Sequence, residues 1–424
     1  MTMNRRSFIK LLGAATGVGL AGVPYVSTAA EIMPKKDRRV VVVGGGYGGN
    51  IVAKYIRMTD PSIEVVLIDR DKTFISCPYS NLIIGGIRKI EENTITRDGL
   101  AKNHGVKLVY GEVTGVDTAA KKVIMADGTI AYDRLVLSPG IDFRFEEIEG
   151  YDPVETPKVI PHAWKAGEQT LLLRKQLEQM PDGGVVVLSI PVTPYRCPPG
   201  PYERISQMAW YLKNHKPKSK IIVLDANPDI VSKAGLFRKA WKTYYDGMID
   251  YHANNKVVKV NAKNRSVDTG VEEVKGDVVN LVPPQKAGLI AHKAGVVGED
   301  KKWCPVDQVT YESTIAKGVH IIGDSCIAGA MPKSGHSANS QAKVCALNIV
   351  ALMNGKEPDS PSQSNVCYSY VTDKVAISVA GVYRVEGGKT IAVPNAGGVS
   401  PDLSELEGIY GQSWIKNILT EMSS

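Results

Sequence analysis

The run Arg39-Val40-Val41-Val42-Val43 leads straight into Gly44-Gly45-Gly46-Tyr47-Gly48-Gly49, and no other junction constrains the fold as much. A continuous apolar run of this kind is buried on both faces, as strands of a parallel sheet are. A helical pattern continues from the glycines to about Met58, and Val65-Val66-Leu67-Ile68 is a second strand closed by Asp69. Gly44, Gly46 and Gly49 thus have G-x-G-x-x-G spacing between strand and helix, with an acid 20 residues beyond Gly49. Such glycines let the backbone approach a pyrophosphate, and the acid can reach ribose hydroxyls. The expectation is an α/β chain built on a Rossmann-like dinucleotide-binding domain.

Two later segments specify the dinucleotide. Tyr132 to Gly140 is a strand running into a small-residue turn, with Ser138 and Gly140 at its end. Gly318 to Asp324 is another strand, ended by Gly323 and Asp324, and Met331-Pro332-Lys333-Ser334-Gly335 then opens a helix through about Val350. Asp324 alone would read as a helix cap. Together these segments resemble the Ala-Thr-Gly turn (here Ser-Pro-Gly) and the second FAD motif of two-dinucleotide disulfide-reductase flavoproteins. The resemblance implies FAD, with Asp324 on the ribityl chain, and a helix N-terminus at Met331-Pro332 favours negative charge on reduced flavin. Because the FAD elements flank the middle of the chain, the FAD domain is expected in two segments, 36–155 and 281–365. A second Rossmann-like domain, 156–280, is inserted between them, and a small α+β domain occupies 366–424.

The second domain has lost its nucleotide loop. Val185 to Ile190 is a short buried strand, and a helix-like run ends at His215. Between them lies Pro191-Val192-Thr193-Pro194-Tyr195-Arg196-Cys197-Pro198-Pro199-Gly200-Pro201. A nicotinamide site needs backbone N–H groups there, at the helix N-terminus. Proline has none to donate. The electron donor is therefore expected not to be NAD(P)H, and Cys197 is the first candidate for what replaces it.

The start of the chain bears on its compartment. Arg5-Arg6 precede Phe8, an apolar stretch runs from Leu11 to Val26, and small residues stand at Thr28 and Ala30. This reads as a twin-arginine export signal, 1–30, cleaved after Ala30, and places the protein in the periplasm. The apolar stretch is short of the roughly 20 residues a spanning helix needs. Removing Arg5, Arg6 and Lys10 leaves 48 basic against 44 acidic residues, and no basic run long enough for nucleic acid. Six cysteines (77, 197, 304, 326, 345 and 367) include no C-x-x-C pair, and no His/Cys cluster has zinc spacing, so no metal is expected. Disulfides are possible in that compartment, but their pairing is not readable from spacing.

The block around Cys77 (Phe74 to Asn81), the block Tyr195 to Arg204, Gly323 to Ala346 and Asn365 to Ser369 are all similar to the flavoprotein subunit of flavocytochrome c sulfide dehydrogenase. The resemblance covers essentially the whole chain after residue 30. It implies a thioether from Cys77 to FAD and a redox-active disulfide between Cys197 and Cys367. A disulfide beside a flavin offers hydrosulfide a sulfur to attack. The plainer readings stay open. Cys77 could be a buried small hydrophobe, and Cys197–Cys367 could be a staple worth about 5 kcal/mol.

Glu203 is a candidate proton acceptor for hydrogen sulfide, although a surface salt bridge explains it equally, and Arg204 reads as a solvated charge. Cys345 reads as core; Cys304, Cys326, His162, His292 and His336 receive no role. The chain has no C-x-x-C-H haem-attachment motif, so the resemblance implies a separate c-type cytochrome subunit, with Trp414 either between flavin and haem or in the core. Val375 to Val382 alternates as a strand, and Leu406 to Met422 is weakly amphipathic and short for a membrane anchor. The expected activity is periplasmic oxidation of sulfide to sulfur or polysulfide with cytochrome c as acceptor. The alternatives are a sulfide:quinone oxidoreductase-like enzyme and a non-catalytic flavin carrier serving a sulfur-oxidation partner.

Overall fold

Strand β1 (Arg39–Val43) has every residue buried. Val40, Val41 and Val42 are wholly removed from solvent, each worth about 1.5–3 kcal/mol. It runs parallel to β2 (Glu64–Asp69), and helix α1 (Gly49–Thr59) lies between them in sequence. Helix α2 (Ser80–Ile84) follows, then β3 (Lys107–Tyr110) beside β2 and β4 (Arg134–Leu137) on the other side of β1. The structure is a computed structural model and describes residues 31–34 and 36–424. The expected export signal, 1–30, lies outside the described residues.

A second parallel sheet follows. It consists of β5 (Val185–Ile190), β6 (Lys220–Asp225), β7 (Ile249–His252) and β8 (Val278–Leu281), in the order β7-β6-β5-β8. Helix α3 (Gly200–His215) joins β5 to β6, and α4 (Ala234–Tyr244) joins β6 to β7. The chain then returns to the first sheet. Strand β9 (Val319–Ile321) pairs with β4, completing the order β9-β4-β1-β2-β3, and helix α5 (Gly335–Met353) follows it. The second sheet is thus an insertion in the first domain, the doubly wound architecture that the glycine junction implied.

The last segment is an antiparallel sheet of β10 (Gln363–Tyr370), β11 (Ala376–Glu386) and β12 (Lys389–Val399), then helix α6 (Glu405–Ser423). Helix α6 buries Gly408, Gly411, Ile415, Ile418, Leu419 and Met422. Its Lys54 and Tyr55 contacts from α1, to the Glu421 carbonyl and carboxylate at 3.0 and 2.8 Å, fasten it to the first domain. The weak amphipathicity of this segment therefore serves packing on the body of the protein. No helix among the described residues is long and apolar enough to cross a membrane.

Candidate active site

The dinucleotide residues gather where the first sheet's strands end. Gly44 follows β1, Asp69 ends β2, Ser138 follows β4, and Gly323 and Asp324 follow β9. All these strands are parallel, so this is one edge of the sheet, where open α/β sheets bind ligands. Gly44 has φ +99°, and a Cβ on Gly49 would run into the Gly44 carbonyl oxygen, so both positions require glycine. Gly46 faces only the Phe74 ring, and Gly140 also has a left-handed backbone. Asp69 accepts from Gly45 N–H at 2.6 Å and from Arg97 at 3.0 Å. Arg97, almost wholly buried, also donates to the Gly45 carbonyl and holds the loop from behind. No motif had marked it.

Gly323 N–H donates to Gln341 at 2.8 Å, which ties the end of β9 to α5. The Asp324 Oδ1 atom is buried without a hydrogen-bond partner among the described residues, and burial raises this carboxyl above its usual range. A buried, unsatisfied oxygen of this kind calls for a donor. Met331 is buried and Pro332 half-buried just before Ser334, whose hydroxyl caps α5 by accepting from Ser337 N–H at 3.0 Å. The strand-end glycines, the orphaned Asp324 oxygen and the capped helix N-terminus together fit FAD.

Cys77, Cys197, Cys367 and Glu203 line one cavity that opens to solvent. Cys77 stands just before α2 and accepts from Ala166 N–H at 3.4 Å. Cys197 is held in a left-handed conformation, φ +59°. Two backbone bonds fix it there: its N–H donates to the Lys333 carbonyl at 2.7 Å, and its carbonyl accepts from Gly200 N–H at 2.8 Å. Gly200 is required beside it, since a Cβ there would sit 2.9 Å from the Cys197 sulfur. The proline-rich turn thus presents one half-buried thiol at the N-terminus of α3. Cys367 comes from β10, its sulfur 3.8 Å from the Asn365 side chain, which in turn accepts from Ser334 and Ser337 at the start of α5. All six cysteines are free thiols in the structure, and burial raises the thiol pKa of both Cys197 and Cys367. Cys345 is core; Cys304 and Cys326 are buried partners in a short parallel bridge away from this cavity.

Two charges stand differently from their surface readings. Glu203 is buried, with no basic group within ion-pair distance among the described residues. It accepts instead from Asn81 at 2.8 Å and from Tyr370 N–H at 2.9 Å, and burial raises its pKa. Arg204 is no solvated charge either. It lies 4.6 Å from the Trp164 ring and donates to the His162 and Ala163 carbonyls, Asn81 and Asn280. The indole covers it and four oxygens satisfy it, which makes burial tolerable. His336 also reaches the cavity wall, accepting from Val366 N–H at 2.8 Å. Trp414 lines the same wall among Tyr79, Tyr368 and His336. His162 packs on Phe143 outside the cavity, and His292 is remote from it.

The second domain shows a further loss that the prolines did not reveal. Asp225 ends β6, as Asp69 ends β2, the position from which an acid would reach a ribose. Its carboxylate is fully buried and takes Tyr202 and Tyr251 hydroxyls, each at 2.8 Å, and both nitrogens of Asn227. It is spent inside the protein. The signal was present in the sequence, as an acid closing a strand.

Comparison with known proteins agrees with this geometry. Residues 38–176 match the family described as pyridine nucleotide-disulphide oxidoreductase. Residues 170–283 match the central part of the sulfide dehydrogenase (flavocytochrome c) flavoprotein chain, and 359–422 match the flavin-binding family of flavocytochrome c sulphide dehydrogenase. Over 46 residues the chain is 54% identical to the sulfide dehydrogenase (flavocytochrome c) flavoprotein chain of Chlorobaculum thiosulfatiphilum, covering 11% of this chain and 96% of that sequence. The mitochondrial sulfide:quinone oxidoreductase of Mus musculus is 21% identical over 360 residues, 81% of this chain and 77% of that one. The X-ray structure of the sulfide:quinone oxidoreductase from Aquifex aeolicus superposes with a TM-score of 0.73 at 20% identity, covering 91% of each chain, and shares the fold. The chain, an FAD-binding flavoprotein, belongs to the family of flavoprotein chains of flavocytochrome c sulfide dehydrogenase.

Proposed function

We propose that this protein oxidises sulfide to sulfur or polysulfide in the periplasm, through a redox-active Cys197–Cys367 pair and FAD, with a c-type cytochrome as electron acceptor. The observation that carries the reading is the single cavity shared by Cys77, Cys197, Cys367 and Glu203. In the oxidised pair, hydrosulfide attacks one sulfur, the S–S bond breaks, and the products are a persulfide on one cysteine and a thiolate on the other. A second hydrosulfide takes the outer sulfur off the persulfide as a hydrodisulfide, leaving two thiols, and FAD, when bound, would supply the two-electron acceptor needed to close them into a disulfide again. The dinucleotide is held by the strand-end residues Gly44, Gly46, Gly49, Asp69, Ser138, Gly140, Gly323 and Asp324, and Met331-Pro332 bring α5 up to it. Cys77 is the attachment point for a covalent thioether.

Glu203, raised by burial and open to the cavity, accepts the proton of hydrogen sulfide. The positive end of α5, with Ser334, Gly335 and His336 on the cavity wall, favours negative charge developing there. The spent Asp225 and the proline turn argue against NAD(P)H as donor. The Arg5-Arg6 segment supports export and hence a soluble periplasmic acceptor. The likeness to sulfide:quinone oxidoreductases keeps quinone as the competing acceptor.

The test is anaerobic mixing of the purified protein with sulfide, and separately with NADH, while following flavin absorbance. Sulfide should bleach the flavin and NADH should not; bleaching by NADH alone would overturn the reading. Cys197→Ser and Cys367→Ser should each abolish the response with FAD still bound. Turnover with added cytochrome c rather than a quinone analogue identifies the acceptor, and no turnover with either would indicate a flavin carrier.

A further inference from the structure

Lys233 is the only lysine among the described residues that is buried, at 6% exposure. It precedes α4 in a left-handed conformation, φ +57°, which turns its side chain away from the helix and across to the C-terminal sheet. There its ammonium donates to the Ser369 hydroxyl at 2.8 Å, the Cys367 carbonyl at 3.3 Å and the Ile377 carbonyl at 3.5 Å. No carboxylate lies within ion-pair distance of it among the described residues. An unpaired buried ammonium is costly, and three neutral oxygens do not cancel its charge. The Cys367 thiol is placed to be that group: residues 367 and 369 share one face of β10, and Lys233 holds the Ser369 hydroxyl on that face and the Cys367 main-chain carbonyl.

The geometry points to Lys233 as the fixed cation that makes Cys367 the leaving sulfur of the Cys197–Cys367 pair. The step rests on the cysteine-pair reading above. Hydrosulfide attacks the Cys197 sulfur and the new S–S bond forms there. The old S–S bond breaks, and its electron pair leaves on Cys367 as a thiolate beside the ammonium. Atoms and charge balance: one anion enters, and one anion, the Cys367 thiolate, remains with a neutral Cys197 persulfide. Lys233 is a positioning residue, acting through Cys367.

Other charges face this pair. Glu203 and Arg204 come from α3, Arg196 from the proline turn, Glu407 from α6, and the Tyr383 hydroxyl from β11. Glu203 opposes a thiolate, while Arg196 and Arg204 assist it less directly. Burial lowers Lys233 to about 8, so its charge is present below about pH 8 and lost above. Sulfide-driven flavin bleaching should therefore rise with pH as hydrogen sulfide ionises, then fall above about pH 8.

The test uses the reduced FAD-loaded protein and iodoacetamide, with alkylation at Cys367 followed by peptide mass spectrometry from pH 6 to pH 10. Lys233→Gln keeps hydrogen-bond donors without the charge, Lys233→Met removes both, and Lys233→Arg keeps the charge. At pH 7 the Gln and Met variants should alkylate at Cys367 about tenfold more slowly than the unmodified chain. The Arg variant should stay near the original rate and carry the alkaline limb of the bleaching profile to higher pH. Unchanged alkylation in Lys233→Gln would overturn the proposal, whatever sulfide does. Slower alkylation in a protein whose flavin sulfide never bleaches would sustain the Lys233–Cys367 pairing and reject the sulfide-oxidation reading instead.

Discussion

At the scale of single residues, the site depends on charges that were buried and then satisfied. Arg204 binds four oxygens and stacks under Trp164, which lines the cavity and whose carbonyl neighbours Cys77 at 3.7 Å. Removing the guanidinium leaves three of those oxygens unpaired, the His162 carbonyl keeping Asn280, and leaves the indole unsupported. Arg204→Gln should cost about 3 kcal/mol of stability, read as a lower urea midpoint; a change below about 1 kcal/mol would mean water replaces it freely. Glu203 has the opposite test. Gln keeps one acceptor oxygen for either Asn81 or Tyr370 N–H and turns its NH2 toward the other donor. Glu203→Gln should therefore lose about 1–2 kcal/mol of stability yet still fold, and slow sulfide-dependent flavin bleaching by about 100-fold. A normal rate would leave Glu203 as a tie between α2 and β10 and nothing more. Neither burial was legible in the sequence, because adjacent Glu and Arg on a helix look alike whether solvent or another domain covers them.

At the scale of elements, the strand–glycine–helix junction shows why the first domain could be read directly and the second only in part. Gly49 packs against the Gly44 carbonyl so closely that a methyl group cannot enter. Gly49→Ala should therefore push α1 off β1 and yield protein with little bound FAD, measured as the ratio of flavin to protein absorbance; full flavin content would show that the helix can yield. That constraint is local, so residues 39–69 declare it. The β5–α3 turn was legible for the same reason, since proline removes N–H groups wherever it stands. The use of Asp225 was not, because Tyr202 of α3 and Tyr251 of β7 reach it from other elements, and only Asn227 is local. The C-terminal sheet follows the same rule. Its alternating strand was visible, while Lys233 crossing from α4 to β10 depends on tertiary contact alone. Even the cysteines divide this way: each stood out by its neighbours, but only the fold puts 77, 197 and 367 around one cavity.

At the scale of the whole molecule, two buried histidines make the fold sensitive to acid. His320 on β9 bridges the Thr310 carbonyl at 2.9 Å and an Arg134 nitrogen at 3.0 Å, an arrangement that requires Nδ1 to donate and Nε2 to accept. Burial, and then Arg134, pull it down to about 4. His162 accepts from Trp164 N–H at 3.1 Å, and burial, aided by Lys165 and Arg204, pulls it down to about 3. Both are neutral in the fold, whereas the unfolded chain takes up protons below about 6.5. Stability is therefore fully present above pH 6.5 and drains as pH falls toward 4 and then 3. Between pH 6.5 and 4.5 the pair should cost on the order of 4 kcal/mol, above the range in which most carboxylates titrate. Urea unfolding at these two pH values measures it. His162→Gln combined with His320→Gln should flatten most of the difference, since an amide offers the same donor and acceptor without titrating. The His162 main-chain carbonyl is held by Arg204 and Asn280, while His320 lies in the first sheet. Acid should thus loosen both domains over one pH range, and a protein that keeps its urea midpoint down to pH 4.5 would show that one of these rings can charge in place.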